Sequence, residues 1–333
     1  MNRAAVLFAP GDVRVEERPT PEPGPLEVLV EVAAVGVCGS DVHYYEHGRI
    51  GARVVRAPLV LGHESAGRVV AIGERVTRHR VGDRVALEPG LPCGRCRECR
   101  AGRYNLCRAV AFFGSPPVDG AFARFIIQHE DFAHPLPDAL SDEVGALMEP
   151  LSVALWACAK AAISAADRVL VTGAGPIGLL TLQVARALGA SQVVLTDVNE
   201  RRLELARATG ATRALRAEEG LDAEFDALIE CSGHPQALRD GLTALRPAGT
   251  AVLVGMGADP DALVPLSLLQ SRELWLTGTF RYAGTYPTAI ALAAAGRVDL
   301  EAIVTGHFAL GDVEAALRAG REDPGSVKVI VTP

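Results

Sequence analysis

Lysine is nearly missing from this chain: of its 33 basic residues only Lys160 and Lys328 are lysines, and asparagine and glutamine are sparse as well. That bias is the mark of a GC-rich bacterial genome and runs against the Lys and Glu enrichment of thermophile proteomes. Positive charge is also in deficit. Against 40 Asp+Glu the net charge is -7, which leaves no broad basic footprint for nucleic acid and too few uncompensated acids for a disordered tail. Long apolar runs are lacking too, since a membrane span needs about 20 such residues and the stretch from Gly145 to Ala166 carries Glu149 and Lys160. The segment from Met1 to Glu16 has no basic start, apolar core and small-residue cleavage site, so no export signal is read there. These absences predict a cytoplasmic protein that handles small molecules and neither crosses a membrane nor binds nucleic acid.

What is present exceeds one ordinary core. With 333 residues, 49% of them hydrophobic, two domains are expected. From Ala4 to about Asp138, short and often alternating apolar runs are separated by Gly and Pro: Ala5 to Phe8, Val28 to Val32, Gly67 to Ile72, Asp83 to Leu87 and Phe122 to Ile127. This predicts a β-rich domain with long functional loops. The pattern changes near Ser141, and Arg168 to Thr172 then opens a series of strands (Val193 to Thr196, Phe225 to Ile229, Thr250 to Val254, Leu274 to Thr277) alternating with helices such as Asn199 to Thr209 and Pro235 to Leu245. Such alternation implies an α/β fold with a doubly wound parallel sheet. Helices at Thr285 to Ala295 and Asp312 to Ala319 and a strand at Val327 to Val331 break the alternation and are expected to return to the first domain. The expected division is 1–150, 151–284 and a returning 285–333.

Gly173-Ala-Gly175-Pro176-Ile177-Gly178 directly follows an apolar strand and opens the helix Pro176 to Leu188. The first glycine allows the tight turn, the second lets backbone approach a pyrophosphate, and the third lets helix pack closely on strand. The helix N-terminus then faces the phosphates, and Pro176 gives up no hydrogen bond at that position. Asp197 lies 19 residues beyond Gly178, at the end of the next strand, where a carboxylate accepts from an adenosine ribose and repels a 2'-phosphate. NAD is therefore preferred over NADP, with Arg202 counted among the cofactor residues and able, with Arg201, to weaken that preference.

Four of the seven cysteines, Cys93, Cys96, Cys99 and Cys107, fall within 15 residues as C-x2-C-x2-C-x7-C. In a reducing compartment this spacing fits one tetrahedral structural zinc better than two disulfides. The arginines interleaved with them offset the negative charge of four thiolates around zinc; no aromatic reading head accompanies them. Cys158 and Cys231 read as packed thiols. A second set is dispersed: Cys38, His63 and the carboxylates Glu64 and Glu149. Three ligands and an open position would make a catalytic zinc, yet singly each residue is an ordinary buried or turn residue.

Gly62-His63-Glu64-x-x-Gly67-x5-Gly73-x-x-Val76 and Gly82-Asp83-Arg84-Val85, with the cysteine loop and the glycine turn, resemble the zinc-containing medium-chain dehydrogenases over essentially the whole chain. The run from Cys38 to Gly51, Glu88-Pro-Gly90, Glu149-Pro-Leu-Ser-Val153 and Phe280-Arg281-Tyr282 resemble its sorbitol/xylitol (polyol) branch. The resemblance implies a GroES-like catalytic domain followed by a Rossmann domain. It implies two zincs per chain, one structural and one catalytic, the latter held by Cys38, His63 and Glu64 with Glu149 close by. It further implies a proton relay through Ser40 and His43, substrate contacts from Tyr44, Phe112, Arg281 and Tyr282, and a homotetramer. The reaction implied is hydride transfer from a secondary hydroxyl of a polyol to NAD, giving a ketose. L-threonine or a vicinal diol is the alternative substrate in the same fold, and a non-catalytic dinucleotide-binding relative is the alternative from another class.

Overall fold

The valine-rich segment beginning at Val28 becomes the ten-residue strand Glu27–Gly36, the centre of a seven-stranded sheet in the computed structural model. Its β-branched side chains suit a pleated surface buried on one face, and Val28, Val30, Val35, Val69, Val85 and Val331 form a continuous apolar core beneath it. The strand is flanked antiparallel by Glu64–Ile72, Phe125–His129 and Lys328–Thr332. Residues 1–221, 224–257 and 261–333 are described; the expected 151–284 domain therefore includes five residues outside them. Among the described residues no helix is long and apolar enough to cross a membrane.

The chain divides into two units. The first comprises Met1–Glu149, Tyr286–Ala294 and Val304–Pro333, and the second Pro150–Thr285 and Ala295–Ile303. The tail after 285 thus returns to the first unit in two pieces. Residues 295–303 stay with the second because Asp299 is tied to Gln183 by reciprocal bonds: Gln183 Nε2 donates to the Asp299 carbonyl at 2.9 Å, and the Asp299 N–H donates to Gln183 Oε1 at 2.6 Å.

The second unit carries a six-stranded, wholly parallel sheet in the order Arg213–Arg216, Gln192–Asp197, Arg168–Thr172, Phe225–Glu230, Leu245–Leu253, Trp275–Gly278. In chain order this is three-two-one-four-five-six, with its switch point beside Arg168–Thr172, where a dinucleotide binds in folds of this kind. The edge strand Arg213–Arg216 is absent from the sequence reading: it has only Ala214 and Leu215 as buried positions between two arginines, too short an apolar pattern to signal a strand. The expected strand from Phe122 begins only at Phe125, because Phe122 sits in an irregular turn whose N–H donates to the Leu61 carbonyl at 2.9 Å.

Candidate active site

Cys38 and Asp41 open the helix Gly39–His47 as a reciprocal cap: the Cys38 N–H donates to Asp41 Oδ2 at 3.0 Å. Asp41 is fully buried, and its Oδ1 accepts from the Gly62 N–H at 3.0 Å and lies 3.4 Å from His63 Nδ1. A carboxylate behind a histidine fixes ring orientation and makes the far nitrogen a better metal ligand. Burial alone would depress the His63 imidazolium, but Asp41 and the Cys38 thiolate outweigh it and hold its pKa well above the ordinary value. For Asp41, burial works to raise the pKa, and His63 with the two backbone N–H groups brings it below the ordinary value.

Glu64 comes from the neighbouring strand, opposite Gly36 in the register. A Cβ at Gly36 would run into the Glu64 carboxylate, so a glycine is required there. The ligand atoms of Cys38, His63 and Glu64 all lie within 4.8 Å of one another. Glu149, buried at the start of the helix Met148–Lys160, is outside that group. The last strand brings a further residue, Lys328, whose buried ammonium donates to both Glu64 oxygens and to the Val37 carbonyl, each at 2.8 Å. Burial lowers the Lys328 pKa, but Glu64 and, more weakly, Cys38 and Glu149 raise it above its ordinary value. The raised values of His63 and Lys328 reflect concentrated negative charge, and the donor set of thiolate, imidazole and carboxylate fits a zinc ion.

Ser40, His43, Tyr44 and His47 recur at helical spacing on one face of Gly39–His47. Ser40 is half-buried, and His43 is exposed with its ring 4.8 Å from that of His47. Tyr44 is buried, its hydroxyl 3.3 Å from Ser115 Oγ. Phe112 tilts against the His63 ring, with centroids 5.5 Å apart. Arg281 and Tyr282 belong to the second unit, where Arg281 has a φ of 52° and its guanidinium lies over Phe280 at 4.9 Å. A non-glycine residue in that backbone region carries strain of the kind found at functional sites.

The four loop cysteines also gather, with all sulfurs within 4.8 Å of one another. Backbone N–H groups of Arg95 and Cys96 bring the Cys93 pKa down to about 6, while desolvation pushes Cys99 up to about 12. Four thiolates at this spacing need a cation between them, and four sulfurs fit zinc. The loop is tied to the body through Glu88, which accepts from the Tyr104 hydroxyl at 2.7 Å and lies 2.9 Å from His134 Nε2.

In the second unit a cavity of about 920 Å³ is lined by Gly173, Gly175, Asp197, Arg202 and Ser232 among others. A Cβ on Gly178 would collide with the Gly173 carbonyl, whereas one on Gly175 would meet no protein atom. That open position, at the N-terminus of the helix Pro176–Ala187, is the cradle a dinucleotide pyrophosphate requires. Asp197 accepts from the N–H groups of Ala174 at 2.6 Å and Asn199 at 2.8 Å. A carboxylate has about four lone-pair positions, which leaves capacity for ribose hydroxyls.

Residues 24–138 match the alcohol dehydrogenase GroES-like domain, and residues 176–295 match the zinc-binding dehydrogenase family. The chain is 42% identical to sorbitol dehydrogenase of Mus musculus, across 99% of this chain and 95% of that protein. It is equally identical to a probable D-xylulose reductase A of Neosartorya fischeri, across 99% and 96%. The chain belongs to the zinc-containing medium-chain dehydrogenases. Within this oxidoreductase family it falls in the polyol dehydrogenase branch. The fold agrees: L-idonate 5-dehydrogenase of Escherichia coli superposes with a TM-score of 0.94 at 33% identity, covering 100% of this chain and 98% of that one. The β-rich unit is accordingly the GroES-like domain and the parallel-sheet unit the Rossmann domain of the family.

Proposed function

We propose that this chain oxidises a secondary hydroxyl of a polyol to a ketone with NAD as acceptor, using a catalytic zinc at Cys38, His63 and a carboxylate and a structural zinc at Cys93, Cys96, Cys99 and Cys107. The observation that carries this reading is the convergence of thiolate, imidazole and carboxylate at Cys38, His63 and Glu64 in a chain so similar to sorbitol dehydrogenase. Zinc there supplies Lewis acidity toward a hydroxyl, and NAD supplies the hydride acceptor.

The protein's own residues do the rest. Asp41 orients His63 and accepts from it. Ser40 and His43, on one helix face, take the hydroxyl proton and carry it outward, His43 being the exposed member. Tyr44 and Phe112 flank the metal cluster, and Arg281 and Tyr282 add donors for a hydroxyl-rich chain, since such a substrate is discriminated by hydrogen bonds rather than apolar area. In the Rossmann domain Gly173, Gly175, Pro176, Ile177 and Gly178 form the phosphate turn, Asp197 accepts from the ribose, and Arg202 flanks it.

The enzyme acts in the cytoplasm as a homotetramer. The strand Trp275–Gly278 ends the Rossmann sheet with Trp275 71% exposed; an apolar group of that size at a sheet edge favours a second copy. Initial rates with NAD and NADP across xylitol, D-sorbitol, L-threonine, 2,3-butanediol and ethanol, with zinc content per chain, test the reading. NAD reduction by a polyol with two zincs per chain is the expected result. No turnover and one zinc per chain would overturn it in favour of a non-catalytic relative.

A further inference from the structure

The short hairpin formed by Arg49–Ile50 and Arg53–Val54 follows the helix that carries Ser40, His43 and Tyr44. It is anchored rather than loose: Ile50 and Val55 pack on the first unit's core, and the Val55 N–H donates to the Gly48 carbonyl at 2.8 Å. From this exposed hairpin Arg53 reaches inward, and its Nη1 donates at 2.8 Å to the hydroxyl of buried Ser115. Ser115 Oγ in turn lies 3.3 Å from the Tyr44 hydroxyl, and the Ser115 N–H donates at 3.1 Å to the carbonyl of Phe112, the ring that tilts on His63. The guanidinium is therefore one hydrogen bond from the residue that adjoins both Tyr44 and Phe112.

Its charge is not neutralised by any described residue. Among the described residues no carboxylate lies within ion-pairing distance of Arg53, nor of Arg49 and Arg56 on the same segment, whereas Arg14, Arg18, Arg78, Arg84 and Arg124 in the same unit each have one. The nearest acid in sequence, Glu46, is engaged by Arg321 at 3.6 Å and His47 at 3.8 Å. In a chain of net charge -7, an uncompensated cation near Tyr44 and Phe112, with two more on the same segment, attracts an anion. A guanidinium offers donors only, in a planar fork that matches a carboxylate or phosphate edge.

We propose that Arg53 binds an anionic group at the end of the substrate remote from the reacting hydroxyl, so that the preferred substrates are polyols carrying a carboxylate or a phosphate. This rests on the polyol dehydrogenase reading and narrows its substrate class. Because the ion pair forms in the bound ground state as well as in the transition state, it acts chiefly on KM.

The test uses the full-length, zinc-loaded protein with NAD and four substrates: xylitol, D-sorbitol, D-gluconate and sorbitol 6-phosphate. At least one anionic polyol is expected to exceed xylitol in kcat/KM by about tenfold, the scale of one charge-assisted pair. Arg53→Met is expected to lower the ratio of anionic to neutral kcat/KM by a similar factor, mainly through KM, and Arg53→Lys to retain part of it. Raised salt should increase KM for the anionic substrate more than for xylitol. Which anion is preferred, carboxylate or phosphate, follows from comparing gluconate with the phosphate ester. Turnover of neutral polyols with no anionic preference, or an equal loss for both classes in Arg53→Met, would overturn this inference and leave the polyol reading standing. No turnover of any of the four would overturn the polyol reading and this inference with it.

Discussion

Replacing Lys328 by methionine removes the positive charge that faces Glu64 of the metal cluster while keeping a side chain of similar length. In the structure that charge is 2% exposed and bonds both Glu64 oxygens at 2.8 Å, so the variant strands a buried carboxylate with no cation. Breaking a buried pair from one side costs about 3–5 kcal/mol. At roughly 2–4 °C per kcal/mol for a unit of this size, the melting temperature should fall by about 6–20 °C in protein stripped of metal with a chelator. With zinc present, a second cation faces Glu64 and the loss should shrink to well under half. The comparison is with wild type treated identically, so the cysteine lobe contributes equally to both. Adding Glu64→Gln to Lys328→Met removes the stranded charge and should recover most of the stability. Differential scanning calorimetry of the three proteins, chelated and loaded, decides the matter. Equal melting of Lys328→Met and wild type after chelation, or no recovery on adding Glu64→Gln, would refute the reasoning.

Cys38→Ser should keep its fold and its NAD binding, read by circular dichroism and cofactor fluorescence, yet lose turnover, whereas Cys96→Ser should lose stability first. Asp41→Asn leaves an oxygen for only one of the Cys38 and Gly62 N–H groups and takes the negative charge from behind His63; zinc affinity measured by chelator competition should drop by about 10–100-fold. Glu130 accepts from the N–H groups of Thr77 and Arg78, both at 2.9 Å, and these bring its pKa below the ordinary 4.5. A depressed folded-state pKa gives stability that is complete above the unfolded value and lost as pH falls through the folded one. The gap in melting temperature between wild type and Glu130→Gln should therefore be widest near neutrality and close below about pH 4; a gap that widens on acidification would contradict the assignment.

What could be read from the sequence was what is local along it. The cysteine loop and the glycine turn carry their chemistry within 15 and six residues, so spacing alone displays them. Alternation of strand and helix displays the parallel sheet, apart from Arg213–Arg216, whose two apolar residues are too few to register. Asp41 escaped notice although a signal was there: a carboxylate three positions after the residue that precedes a helix is half of a capping box, and here the cap also serves the histidine. Arg53 gave no signal, since an arginine on a polar hairpin looks like any solvated one until Ser115, 62 residues away, is seen to accept from it.

Lys328 lies 264 residues from Glu64, and the return of the chain end to the first unit is what brings the two together. A cation behind the metal ligands must come from an element that flanks the strand bearing Cys38's neighbours, and the sheet has room for one only after Glu64–Ile72 has taken the other side of Glu27–Gly36. The last strand fills that place: Ile330 and Val331 pair with Gly36 and Val35, both side chains fully buried, and Lys328, two residues before Ile330, is carried to the Val37 carbonyl and to Glu64. The apolar residues of Lys328–Thr332 supply the burial that drives the chain end back to the first unit, about 1.5–3 kcal/mol for each fully buried Val or Ile. The charge they position has no such driving force of its own, because an isolated buried ammonium is strongly unfavourable. Polar residues in place of Ile330 and Val331 should therefore release Lys328 as well, and produce the same separation between chelated and zinc-loaded melting as Lys328→Met, although neither residue is one of the clustered ligands.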